Sequence, residues 1–282
     1  MERTSFTAAT TAGRIVGWIA GEGPRVLALH GGPGLNFDYL DEVVQEVGAR
    51  HRVATFQQRG LAPSTLNGEF TIAEAVADIV AVLDELRWDT AYLMGHSWGG
   101  HLAFHAATVI PERLSGVLAV DPLGAVGDGG TAEFTAELAR RMSEADRPRF
   151  DELEAKESGE GLSPEEDVEQ LGLVWPSYFA EPLKAPKMPP VVMSQPAYEG
   201  LAGDLTARLP ELETALPSIR LPVGVLVGER SPIPMSAGID TADRIHGAWW
   251  RVEPGAGHFI WFEAPGAVLA AMERLTDPSE AQ

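Results

Sequence analysis

Residues 91–103 constrain the fold of this chain more than any other stretch. A short apolar run leads into the pattern Gly95-x-Ser97-x-Gly99, and a helix-forming segment follows. Glycines lack a Cβ, so a strand can turn there into a helix sharply enough to strain the backbone of the central serine. The pattern predicts a buried strand with Ser97 exposed at its tip. The Trp98 N–H and the positive end of the new helix then face the position where an oxyanion would form.

A second glycine-rich turn lies upstream of this elbow. The apolar run at residues 25–29 is followed directly by His30-Gly31-Gly32-Pro33-Gly34. Serine hydrolases take their second oxyanion donor from an apolar strand that ends in such a loop. The two turns together predict a site for acyl chemistry.

Predicted strands alternate with predicted helices along much of the chain. The helix at residues 71–86 has a capping start, because Thr71 precedes Glu74 by three residues, and an apolar stripe follows. The alternation predicts an α/β fold: a mostly parallel sheet flanked by helices, with functional groups at the carboxyl ends of the strands. The predicted strands cover residues 6–10, 14–20, 25–29, 51–56, 117–120, 223–227 and 248–252, with the first two forming a hairpin.

The sequence changes character between Gly124 and about Ser218. Amphipathic helices such as residues 131–142 alternate with proline-rich segments, and no buried strand is evident. This pattern predicts three parts: residues 1–123 as the first part of the core, 124–218 as an inserted helical lid, and 219–282 as the second part of the core.

The predicted lid carries two groups of residues that could bind a substrate. Its acidic run at residues 165–167 follows Ser163-Pro164 and is interpreted as a solvated helix start, with a grip on a substrate ammonium as the functional alternative. Its aromatic residues could wall a substrate pocket or simply form the lid's own core. These residues are Trp175, Tyr178 and Phe179.

Composition limits the classes of function. The 282 residues include no cysteine and carry a formal charge of −20, which excludes disulfides and thiolate chemistry and argues against binding nucleic acid. No apolar run approaches a membrane span, and the first residues lack a basic start followed by an apolar core. We therefore expect a soluble, cytoplasmic protein that acts on a small molecule without metal or cofactor. The sequence does not indicate an oligomeric state.

A serine nucleophile needs a base within hydrogen-bond reach. Among seven histidines, His258 is the predicted base, because it lies in a glycine-rich loop after the last predicted strand. We expect His30 to brace the loop that contains it. We expect the His96 side chain to point away from the pocket of the serine.

On these motifs the chain resembles the α/β-hydrolase superfamily, and specifically its proline-iminopeptidase-like members. The resemblance covers most of residues 13–123 and 219–266, whereas the predicted lid matches only in position. It implies Ser97 as nucleophile, His258 as base, and the N–H groups of Gly32 and Trp98 as the oxyanion hole.

The acid that orients the histidine departs from the usual pattern of the superfamily. It commonly follows the next-to-last strand in a turn of the Gly-Glu-Arg-Asp-Pro kind, but this chain has Ser231 in place of that aspartate. A neutral hydroxyl cannot stabilise an imidazolium, so another carboxylate must serve. Asp121 is the predicted acid, because it ends a strand that should lie between the elbow strand and the strand before Ser231. Glu229 and Asp240 are the alternatives.

The sequence thus predicts a serine hydrolase that cleaves a small ester, lactone or amide through an acyl-enzyme. One alternative is an aminopeptidase, which we expect to differ in having lid carboxylates that converge on the pocket. Another is a non-catalytic ligand receptor, favoured only if no carboxylate reaches His258. Epoxide hydrolases and dehalogenases are disfavoured, because the elbow nucleophile of those enzymes is aspartate.

Overall fold

An eight-stranded sheet forms the centre of the computed structural model, which describes residues 2–277. The strands run in the order β1-β2-β4-β3-β5-β6-β7-β8. β1 and β2 pair antiparallel with each other, β2 pairs antiparallel with β4, and the remaining neighbours are parallel. The strands are β1 Thr4–Thr10, β2 Gly13–Ala20, β3 Arg25–Leu29, β4 Arg52–Phe56, β5 Ala91–His96, β6 Leu114–Val120, β7 Val223–Gly228 and β8 Trp249–Glu253.

Ten α-helices accompany the sheet within residues 2–277, together with short 3₁₀ turns. The helices are α1 Asp41–Val47, α2 Ile72–Glu85, α3 Trp98–Val109, α4 Thr131–Arg141, α5 Arg147–Glu157, α6 Pro164–Val174, α7 Gln195–Ala215, α8 Met235–Asp243, α9 Ile260–Glu263 and α10 Ala267–Thr276. The α/β fold predicted from the alternation of strands and helices is therefore confirmed.

Both faces of the sheet are covered, which explains why its central strands are apolar throughout. Successive side chains of a strand point to opposite faces. Leu27 and Leu29 of β3 pack with α2 and α3, whereas Val26 and Ala28 pack on the opposite side with α1 and α10. The structure thus has two apolar clusters, one on each side of the sheet.

The register of the central strands brings three strand ends together. β6 lies between β5 and β7, as the sequence predicted, and His96 at the end of β5 pairs with Val120 at the end of β6. β7 pairs with the other edge of β6 and ends at Gly228. Ser97, Asp121 and the turn at residues 229–231 therefore follow adjacent parallel strands.

Helices α4 to α7 are inserted between β6 and β7. We call residues 131–218 the helical insertion; in the described chain it adds no strand to the sheet, and one isolated β-bridge, between Leu35 and Met193, joins it to a loop of the core. As predicted, α6 begins with proline after Ser163, whose hydroxyl accepts from the Glu166 N–H in a capping box. No helix among the described residues combines the length and apolarity needed to cross a bilayer.

Candidate active site

Ser97 lies at a strained turn between β5 and α3. Its φ is +56° and its ψ −122°, a region that non-glycine residues rarely adopt. The turn has no room for a side chain at the two flanking glycines. A Cβ at Gly95 would lie 2.1 Å from the Gly99 carbonyl oxygen, and one at Gly99 would lie 2.3 Å from the Leu29 carbonyl oxygen. The Ser97 N–H donates to the Val120 carbonyl, so the turn is anchored to β6.

Two backbone amides lie beside this serine. Trp98 is the first residue of α3, so no carbonyl of a preceding helical turn is available to its N–H. Gly32 follows β3 with a φ of +121° and lines the same cavity as Ser97. The arrangement combines a helix N-terminus and a glycine loop at one point, which suits a developing negative charge.

His258 lies over the same cavity on the loop after β8. Its side chain is buried, and its Nδ1 lies 2.6 Å from Oδ2 of Asp121. An ionised carboxylate can only accept, so Nδ1 carries the hydrogen and Nε2 keeps its lone pair. Burial lowers the pKa of His258, which keeps the imidazole neutral near pH 7.

Asp121 follows β6 directly and has a φ of +43°. Its carboxylate accepts three hydrogen bonds: from His258 Nδ1, from the Ser231 hydroxyl at 2.5 Å, and from the Gly228 N–H at 2.9 Å. Burial raises the pKa of this carboxyl, and the Ser231 and Gly228 donors oppose that rise. The other two carboxylates considered, Glu229 and Asp240, are exposed.

Ser231 has a place in this network that the sequence did not indicate. Its hydroxyl donates to Asp121 Oδ2 and accepts from the Ile233 N–H at 3.1 Å. A residue of the helical insertion binds the turn that carries Ser231. Arg141 donates hydrogen bonds to the Arg230 carbonyl at 2.7 Å and to the Ser231 carbonyl at 3.2 Å. The serine thus supports the carboxylate without replacing it.

A small, largely apolar cavity of about 80 Å³ brings these groups together. Ser97, His258 and Gly32 line it, and the helical insertion contributes Trp175 and Tyr178. The Tyr178 ring stacks on His258 with 5.3 Å between centroids, and the Tyr178 carbonyl accepts from the His258 N–H. Tyr178 of the helical insertion therefore contacts the loop that carries His258 directly.

Phe179 does not line the cavity with Trp175 and Tyr178, so the prediction that it is a pocket residue is wrong. The cavity lining within residues 2–277 does not include it, and its side chain is only 1% exposed. Its ring packs behind the wall, against Trp175 at 5.1 Å and Phe259 at 5.5 Å between centroids. Phe179 belongs to the aromatic core beneath the cavity.

Two further histidines lie near the serine. His30 braces its loop as predicted: its Nδ1 lies 2.9 Å from the Gly31 carbonyl oxygen, and its Nε2 accepts from the Gln58 N–H at 3.1 Å. The prediction that His96 points away from the pocket is wrong. The His96 ring packs on that of His258 with 4.4 Å between centroids, because the strand end brings it beneath the histidine loop.

Comparison with known proteins identifies the family. Residues 26–271, most of the chain, match the description "Alpha/beta hydrolase family". The chain belongs to this family.

The curated relatives of this alpha/beta hydrolase resemble it over short segments. Epoxide hydrolase B of Mycobacterium tuberculosis is 33% identical over 102 residues, which cover 35% of this chain and 29% of that protein. The match thus spans less than a third of the length of that relative.

Solved structures resemble the protein over nearly its whole length. A thermophilic esterase from Thermogutta terrifontis has a TM-score of 0.64 and 25% identity, with 97% of each chain covered. A serine hydrolase, CCSP0084, from Cycloclasticus zankles has a TM-score of 0.72 and 18% identity, also with 97% of each chain covered. The similarity to the second establishes the fold alone.

A second cavity of about 260 Å³ adjoins the first and shares Gly32 and Tyr178 with it. The helical insertion supplies three carboxylates to its lining, Glu154, Glu157 and Asp167. Asp167 is only 6% exposed, so the interpretation of residues 165–167 as a solvated helix start is wrong at its third residue. Within residues 2–277, no group donates a hydrogen bond to the Asp167 carboxylate, and burial together with Glu157 raises its pKa.

Proposed function

We propose that this protein is a serine hydrolase that cleaves a small carboxylic ester, lactone or amide through an acyl-enzyme. The contact of His258 Nδ1 with Asp121 Oδ2 at 2.6 Å carries the proposal, because it leaves Nε2 free to act as a base in the cavity that Ser97 lines. The same contact argues against a non-catalytic receptor, which has no need of a carboxylate on that histidine.

In the proposed first step, His258 Nε2 takes the proton of the Ser97 hydroxyl while Oγ bonds to the substrate carbonyl carbon. The N–H groups of Gly32 and Trp98 stabilise the resulting oxyanion. The carbon–oxygen or carbon–nitrogen bond then breaks, and Nε2 returns the proton to the leaving group. Asp121 stabilises the transient imidazolium through Nδ1.

A water molecule completes the cycle by the same route. His258 accepts one of its protons, the hydroxide oxygen attacks the acyl carbon, and Ser97 leaves as the alcohol when Nε2 returns the proton. The products are a carboxylic acid and the regenerated serine. Every proton transfer in this sequence uses His258, so the proposed reaction requires no metal or cofactor.

The nature of the nucleophile distinguishes this proposal from epoxide hydrolysis. If a serine oxygen opened an epoxide, the product would be an ether with no carbonyl carbon for water to attack. A carboxylate nucleophile would instead give an ester, which water can cleave. Ser97 at the elbow therefore favours carbonyl substrates, despite the similarity of one segment to epoxide hydrolases.

We further propose that residues 124–218 act as the lid, between core parts at residues 1–123 and 219–282. Trp175 and Tyr178 would then close the cavity over the substrate. The apolar lining favours a small acyl or alcohol group.

Turnover of p-nitrophenyl esters, lactones and aminoacyl-naphthylamides tests the function, with Ser97→Ala as the blank. We expect hydrolysis of at least one class, and loss of that activity in the variant. A fluorophosphonate probe should label Ser97 in the wild-type protein and label His258→Ala far more slowly. Labelling at another residue, or full activity of Ser97→Ala, would rule out the proposed nucleophile.

A second candidate function is an aminopeptidase similar to the proline iminopeptidases. The observation that favours it is the cavity lined by Glu154, Glu157 and Asp167. Within residues 2–277, the buried Asp167 carboxylate accepts no hydrogen bond. A cation would offset this charge, and a substrate ammonium could reach it while the carbonyl lies at Ser97.

A comparison of paired substrates separates the two candidates. For an aminopeptidase, Asp167→Asn should lower kcat/KM for aminoacyl-naphthylamides by about tenfold or more, the scale of one lost ionic contact. It should leave deaminated analogues unchanged. Asp151→Asn, on the exposed face of α5, is the matched control. Equal effects on both substrate classes would reject the ammonium site and leave the esterase proposal intact.

A further inference from the structure

We propose that Tyr39 and His96 form a buried hydrogen-bonded bridge that fixes the catalytic histidine relative to the glycine-rich loop. Their role is positioning: neither is assigned a bond to the substrate. The inference rests on the proposed serine-hydrolase function for its kinetic consequence, but the bridge itself can be tested without activity.

The bridge runs through three contacts. The Gly31 N–H lies 2.5 Å from the Tyr39 hydroxyl oxygen, and that oxygen lies 3.0 Å from Nδ1 of His96. Nε2 of His96 lies 3.1 Å from the carbonyl oxygen of His258. One end of the bridge is thus the residue before Gly32, and the other is the backbone of the proposed base.

Chemistry at the two ends fixes the direction of every hydrogen bond. A backbone N–H can only donate, so Tyr39 accepts from Gly31, and a carbonyl can only accept, so His96 donates from Nε2 to His258. Nδ1 of the neutral ring then holds a lone pair, which accepts the Tyr39 hydroxyl hydrogen. The bridge therefore selects the Nε2–H tautomer of His96.

Burial makes this arrangement rigid. Tyr39 and His96 are 7% and 4% exposed, and the rings of His96 and Trp261 pack in a T-shaped arrangement with 4.8 Å between centroids. Burial and the neighbouring His258 lower the pKa of His96, so the ring stays neutral and keeps the donor and acceptor that the bridge needs.

The His258 backbone is consequently held on both sides. Its carbonyl accepts from His96, and its N–H donates to the Tyr178 carbonyl at 2.8 Å. An error of about 1 Å in the placement of a catalytic group can cost about a hundredfold in rate. Loss of the bridge should therefore lower kcat, since it displaces the base and the oxyanion donor relative to each other.

Tyr39→Phe tests the bridge, because it removes one oxygen and retains the ring. We expect kcat to fall by roughly tenfold to a hundredfold, with KM within about threefold of the wild-type value. Tyr92→Phe is the matched control: this residue lies on β5, outside the bridge, and should retain wild-type kcat. His96→Gln should lower kcat similarly, and the double variant should be little worse than either single variant.

The tautomer of His96 provides a test that does not depend on turnover. Long-range ¹H–¹⁵N correlation spectra of the wild-type protein should show neutral His96 protonated at Nε2. An Nδ1–H tautomer, or a Tyr39→Phe enzyme with kcat within twofold of the wild type, would overturn the inference. If the wild-type protein hydrolyses no substrate, the proposed function fails, and the tautomer still decides whether the bridge exists.

Discussion

Oδ2 of Asp121 accepts from two residues at once, His258 Nδ1 at 2.6 Å and the Ser231 hydroxyl at 2.5 Å. Asp121 comes from the end of β6 and Ser231 from the turn after β7, so residues from the ends of two neighbouring strands meet at the carboxylate that contacts the imidazole. The carboxylate follows β6, and the Ser231 hydroxyl donates a hydrogen bond to it.

If the proposed mechanism holds, Asp121→Asn should lower kcat by several orders of magnitude, because the equivalent change in a known serine triad costs about 10⁴. An amide cannot stabilise the imidazolium and can present its NH₂ group to Nδ1, which favours the wrong tautomer. Steady-state kinetics on the best ester substrate measure the effect. An Asp121→Asn enzyme with near-normal kcat would refute the assignment of the acid.

Ser231→Asp in the Asp121→Asn background should restore part of the lost activity. The new carboxylate would lie where the Ser231 hydroxyl now meets residue 121. Ser231→Asn in the same background is the matched control, since it adds similar bulk without charge. Equal activities of these two double variants would mean that position 231 does not reach the histidine.

Ser97→Gly should be more stable than Ser97→Ala, by about 1 kcal/mol. The φ of +56° is unfavourable for any residue with a Cβ, and the strain of such a residue costs roughly 1–3 kcal/mol, partly offset by the greater chain entropy of unfolded glycine. Denaturant unfolding of the two variants measures the difference. Equal stabilities would show that the elbow is not strained at this position.

The pH profile of kcat/KM should have an acid limb that is set by the buried pair of His258 and Asp121. Burial lowers the pKa of His258, and only the neutral ring can accept the serine proton. Burial also raises the pKa of Asp121, so the two groups titrate as a pair, and activity should fall as the pH drops and this pair takes up a proton. Initial rates with a non-ionising ester give the midpoint, and a rate that stays constant from roughly pH 5 to 9 would contradict the prediction.

Acid should destabilise the fold through buried histidines that remain neutral. Burial lowers the pKa of His105 to about 3, so between pH 6.5 and that value the unfolded chain binds a proton that the folded chain does not. Its contribution is absent above pH 6.5 and opposes folding progressively as the pH falls. Burial lowers the pKa of His30 and His101 in the same way, each to about 4.

His105→Gln should consequently reduce the loss of stability per pH unit by up to about 1.4 kcal/mol between pH 6 and 5. The exposed His246 gives the matched control, His246→Gln, which should leave the slope unchanged. Urea unfolding at both pH values measures the slope. A free energy of unfolding that does not change with pH in this window would contradict the mechanism.

Local sequence patterns were sufficient for much of the fold. The elbow at Ser97 and the loop at Gly32 need glycine for steric reasons, and the alternation of strands and helices follows from hydrophobic periodicity. The position of Asp121 was predictable because a parallel sheet aligns the ends of neighbouring strands. These features depend on the backbone or on the order of the strands, and both are expressed locally along the chain.

Side-chain partners from distant elements were decided by the tertiary structure alone. Tyr39 meets His96 across 57 positions of sequence, Phe179 turns into the aromatic core, and Asp167 is buried beside a cavity. No local pattern encodes these contacts, because they depend on how the helical insertion and the loops after the strands pack together. Packing selects one arrangement among many of similar local preference, so the sequence determined the scaffold and the tertiary structure determined which side chains meet within it.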